Sequence, residues 1–141
     1  MQQRKFIFLE AIDSGYAVHS KSLKGHVQLN ESKSKTTAKV FIEGIKPEEY
    51  GIDVILEGQN VKNMGKFIGQ NKVDYTITIE ESLERIQAIA IYPLRDCRTI
   101  ALVAYLVNKD SINIKELLYL KGNHKISKKK DAFEAIDEKE E

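Results

Sequence analysis

An alternation with period two constrains this chain most. In VDYTITIE, Val73, Tyr75, Ile77 and Ile79 alternate with Asp74, Thr76, Thr78 and Glu80. Successive side chains of a strand point to opposite faces, so the pattern predicts a strand with one buried and one wet face, as in antiparallel sheets. The same period places Val27 with Leu29 in GHVQLNE. It also groups Ala38, Val40 and Ile42 in TTAKVFIEG, and Tyr50, Ile52, Val54 and Leu56 in YGIDVILEG. The runs KFIFLEA, IQAIAIY and IALVAYLV are apolar at both phases. That predicts central strands, or a second packing surface over one of them.

The connections agree. NESKSK, EGQN, GQNK and PLRDCRT are polar and turn-like, and EESLERI is long enough for a single helical turn. No amphipathic helix of the length a parallel crossover needs lies between the strands. The expected fold is therefore all-β: an antiparallel β-sandwich of about eight strands over residues 1–109. Residues 110–141 are expected to form a short helix and a charged tail. Asp110 or Ser111 would cap the helix, Ile114, Leu117 and Leu118 would form its stripe, and Gly122 would end it; a ninth strand through Ile112–Asn113–Ile114 is the alternative.

Composition narrows the function classes. The chain has 141 residues, a net charge of +1 and one cysteine, so it can bury a core, is not globally built for polyanions, and cannot form an intrachain disulfide. The apolar run from Phe6 to Leu9 is shorter than a signal peptide needs, so none is expected, and nothing approaches a membrane span of roughly 20 apolar residues. The cytoplasm is the expected location.

Chemistry-bearing residues are sparse. Cys97 lies between Asp96 and Arg98, but no histidine base is placed beside it by sequence, so a loop cysteine is the simpler reading. His19, His26 and His124 are too scattered for a metal-site pattern, and His26 reads as a solvated side chain. The pairs Glu48–Glu49 and Glu80–Glu81 should point apart into water rather than act as an acid–base pair. No catalytic residue, metal or cofactor is expected. The tail is a charge diblock, with five lysines and no acids over residues 121–130 and six acids and one lysine over 131–141. Lys125, Lys128, Lys129 and Lys130 would support salt-sensitive, non-specific nucleic-acid binding, although the acidic block competes for them and the aromatics do not interleave with basic residues along the chain. Phe41 and Ile55 stand on the nominally polar faces of successive strands. If those strands pair, the two side chains form an apolar patch for a protein partner or self-association; otherwise a second layer, such as the N-terminal strand or the 112–120 segment, covers them. The leading expectation is a non-catalytic binding or scaffolding module. Nucleic-acid binding through residues 121–130 is the alternative.

The stretch GIKPEEYGIDVIL resembles the corner of fibronectin-type-III and other immunoglobulin-like sandwiches, with Ile45, Pro47 and Tyr50 at the matching positions. The resemblance implies that the Tyr50 hydroxyl bonds back to the chain near Ile45, as a corner post. Over roughly residues 4 to 107 the order of segments is also similar to a sandwich module found in uncharacterised proteins of spore-forming Firmicutes, which implies no activity. The tryptophan and the cysteine pair of true immunoglobulin domains are missing.

Overall fold

A computed structural model describes residues 3–12, 14–18, 23–96 and 99–114. They form eight strands: β1 (Gln3–Ala11), β2 (Lys24–Ser32), β3 (Lys35–Glu43), β4 (Glu49–Leu56), β5 (Asn60–Ile68), β6 (Lys72–Ile79), β7 (Ile86–Pro93) and β8 (Leu102–Tyr105). Each alternating run of the sequence is a strand, and EESLERI supplies only the 3-10 turn Leu83–Arg85. Among the described residues, no helix is long and apolar enough to cross a membrane.

All pairings are antiparallel, in the order β5-β4-β7-β8-β1-β2-β3-β6. The sheet is thus one continuous surface, where the sequence reading expected the two facing sheets of a sandwich. The reason lies in β1. Its residues 3–9 pair with β2, while Glu10 and Ala11 pair with β8, so a single strand joins both halves. The outer strands β5 and β6 are consecutive in the chain, and the sheet curls until they nearly close a barrel. Phe67 of β5 and Tyr75 of β6 pack across that seam with ring centroids 5.8 Å apart.

The inward residues are those the alternation selects. Val27, Leu29, Ala38, Val40, Ile42, Ile52, Val54, Ile77 and Ile79 fill the interior with Ile89, Ile91 and Leu102. A second cluster lies on the outer side of β4, β7 and β8, where Ile55, Ala88, Ala90, Tyr92 and Val103 are buried together with Ile100 and Ile114. This explains why β7 and β8 are apolar at both phases. Where the helix was expected to begin, Lys109–Ser111 forms a 3-10 turn, with Asn108 accepting from the Asp110 amide at 2.9 Å; Ile112 is extended and Ile114 is helical. The rest of that expectation, including Leu117, Leu118 and the tail, lies outside the described residues.

The corner before β4 forms as the sequence implied, shifted by one residue. The Tyr50 hydroxyl donates to the carbonyl of Lys46 at 3.0 Å, and its ring is fully buried between Tyr16 and Phe67. Burial, aided by the Glu48 carboxylate, pushes the phenol pKa well above its usual range. Tyr50→Phe is expected to lower stability by about 1 kcal/mol at neutral pH, the worth of one buried hydrogen bond. The alkaline limb carries the sign. Above about pH 10 the unfolded chain releases the Tyr50 proton while the folded chain keeps it, so stability present below that pH falls as pH rises. Urea unfolding of the Phe variant should show an alkaline slope shallower by up to about 1.4 kcal/mol per pH unit. Parallel slopes for both proteins would show that the phenol is not shielded.

Candidate functional site

Strands β1, β2, β3 and β6 each send alternate residues outward, away from the interior. In β1 these are Arg4, Phe6, Phe8 and Glu10; in β2, Lys24, His26, Gln28 and Asn30; in β3, Thr37, Lys39, Phe41 and Glu43. Register then decides who meets whom. Phe8 lies opposite His26, and His26 opposite Phe41; Phe6 lies opposite Gln28, and Gln28 opposite Lys39. Three strands therefore bring four rings into one row.

The rings are in contact. Phe6 stacks on His26 at 4.5 Å between centroids, His26 stacks on Phe41 at 4.9 Å, and Phe8 meets Phe6 edge-on at 5.2 Å. Such pairs gain a modest increment beyond area burial, yet much of their surface still faces water. Phe8 is 72% exposed and Phe6 51% exposed. His26 is half-buried in the middle of the row, which corrects its sequence reading as a merely solvated side chain.

Two grooves flank the row. One runs beside Phe8, His26 and Phe41, with Lys24 and Glu43 on its rim and Lys72 and Asp74 of β6 beyond. Its charges balance, and Lys24 pairs with Glu43 at 3.5 Å. The other groove lies past Phe6 and is lined by Arg4, Lys5, Gln28, Asn30 and Lys39. Its outward cations are Arg4 and Lys39 and it has no acid; Lys5 borders it from the inward phase of β1, opposite Leu29.

The sequence-derived candidates divide. Phe41 belongs to the row. Ile55 does not: it is fully buried under the chain's own second cluster, and β3 and β4 do not pair, since β3 lies between β2 and β6 and β4 between β5 and β7. The covering layer is part of this chain, with Ile112 and Ile114 packed there. Lys125, Lys128, Lys129 and Lys130 lie outside the described residues, as do Cys97, His19 and His124. The glutamate pairs point apart: Glu48 binds Arg95 at 2.8 Å and Glu49 faces Lys66 at 3.4 Å, while Glu80 faces Lys35 and Glu81 binds Arg85. Among the described residues, no group of three or more His, Cys, Asp or Glu could hold a metal ion.

Phe6 and Phe8 are the residues that sequence reasoning missed. Their run reads as apolar on both sides, the mark of a doubly covered strand, but nothing described covers the outer face of β1. The local signal was Arg4–Lys5–Phe6 and Lys39-x-Phe41, where basic and aromatic residues are neighbours after all. No family model, curated protein or solved structure matches the chain.

Proposed function

We propose that this protein is a non-catalytic, cytoplasmic binding module that uses the outer face of β1, β2 and β3. The observation that carries the reading is the row of four contacting rings at Phe6, Phe8, His26 and Phe41, two of them more than half exposed. Large apolar side chains gathered on an otherwise polar face mark interaction sites. The face offers little for catalysis. Its imidazole is held between two phenyl rings, and no hydroxyl or thiol is hydrogen-bonded to it among the described residues. The Tyr50 corner supports the likeness to fibronectin-type-III modules as a shared local device.

Photo-crosslinking tests the face. A photoreactive phenylalanine at position 8 of the full chain is expected to form adducts in cells that the same group at exposed Glu84 does not form. Phe41→Glu, which sets a charge beside His26, should abolish those adducts. Equal adducts from positions 8 and 84, or adducts indifferent to Phe41→Glu, would remove the face from the function.

A further inference from the structure

The chemistry of the face identifies one class of occupant. Among the outward positions of β1, β2, β3 and β6 there is no Leu, Ile, Val or Met; the large apolar side chains there are all aromatic, with Ile42 and Val73 bordering only the groove beside Phe8. Aromatic side chains and Arg are also common in protein interfaces, but exposed rings beside unneutralised positive charge are what stacking bases and phosphates require together. The cations are placed as unevenly as the rings. On the outer face Arg4 and Lys39 are exposed around one groove, and among the described residues neither has an acidic partner. At the other end Lys24 and Lys72 are offset by Glu43 and Asp74. Unneutralised positive charge therefore sits beside the stacking row and at one end of it.

We propose that the face binds single-stranded nucleic acid, with bases stacking along Phe6, Phe8 and Phe41 and the sugar–phosphate strand leaving over Arg4 and Lys39. This rests on the reading of the same face as a binding surface and names its ligand. Unpaired bases are required, because a duplex hides its ring faces within its own stack. His26 fills the middle of the row, so a base extends it at the Phe41 end, in the apolar groove beside Phe8. Base–aromatic stacking tolerates any sequence, since every base has a π face, and phosphate contacts make binding depend on salt. The short basic–aromatic stretches of β1 and β3 become one platform with His26 only through the register of β1, β2 and β3.

The test is fluorescence anisotropy of the full chain with a labelled oligothymidylate of about 15 nucleotides, beside its duplex. The single strand should bind, and the duplex at least about tenfold more weakly. Phe6→Ala and Phe41→Ala should each weaken binding by about five- to 150-fold. Between about 50 mM and about 200 mM salt, the logarithmic slope should be about −1.4 for two phosphate contacts, and Lys39→Ala should reduce its size by about 0.7. All three side chains lie on the outer face, and circular dichroism of the variants confirms that they fold. Absence of binding at low salt overturns the proposal. So does binding unchanged in the Phe6→Ala, Phe41→Ala double variant but lost on deleting residues 121–141, which assigns it to the tail lysines. Failure here leaves the binding face standing if position 8 crosslinks to a protein in a Phe41-dependent way; if position 8 crosslinks to nothing, both readings fall.

Discussion

Gly69→Ala is expected to lower the unfolding free energy by about 3 kcal/mol or to prevent folding outright, the upper end of what overpacking costs. Gly69 follows β5 in the link that carries the chain across the barrel seam to β6. Its amide donates to the Glu48 carbonyl at 2.8 Å, and this holds the link against the corner at Pro47. A Cβ at this position would collide with the backbone carbonyl of Lys46 and lie 2.7 Å from Cε2 of the Tyr50 ring. The Lys46 carbonyl cannot retreat easily, because it is also the acceptor of the Tyr50 hydroxyl. One added methyl thus disturbs the corner post, the seam and the hydrogen bond between them. Urea unfolding measures the effect, with exposed Gln70→Ala next door as a control expected to stay within about 0.5 kcal/mol. A Gly69→Ala protein as stable as the Gln70 variant would show that the link does not press on the corner.

Asp53→Ala should cost about 3 kcal/mol, and Asp53→Asn about 1 kcal/mol. Asp53 is a fully buried carboxylate in the middle of β4. It accepts from the Tyr92 hydroxyl at 3.2 Å and from Asn63 Nδ2 at 3.1 Å. Asn63 in turn donates to the Tyr92 oxygen at 3.0 Å, and its own oxygen accepts from the Gly65 amide at 3.2 Å. The cluster sits where the β4–β5 register shifts between Gly51 and Asp53. A bulge bends and twists a strand, so these side chains hold the curvature that swings β5 toward β6. Alanine removes the acceptor shared by two donors and leaves a void. Asparagine keeps the shape but turns a donor toward them. Thermal melts of both variants should rank Ala well below Asn, by several degrees, and equal melting points would mean that volume alone matters at position 53. Binding at the outer face of β1, β2 and β3 should survive in both variants, because the cluster lies in the other half of the sheet.

The elements most legible in the sequence were those decided within a few residues. Strand identity and inward face follow from the alternation, since a period of two admits one assignment once a side is buried. The Tyr50 bond to Lys46 spans four residues, and the corner was legible for that reason. Contacts between remote strands were not. Phe41 and Ile55 are 14 positions apart and stand on similar-looking strands, yet four strands separate β3 from β4 in the sheet. One became part of an exposed row and the other was buried beneath Ile112 and Ile114.

The same division separates what the sequence determined from what only the tertiary structure decided. By itself the sequence determined the all-β class, nearly every strand, the interior residues and the corner at Tyr50, because propensity, period and turn chemistry act locally. Tertiary structure decided that one long β1 joins both halves into a single sheet. It decided that the outer side of β7 is covered while that of β1 is open, and that Phe6, Phe8, His26 and Phe41 meet beside Arg4 and Lys39. These depend on strand order and register, which set residues as far apart as Phe6 and Phe41 on one row and which no local pattern encodes.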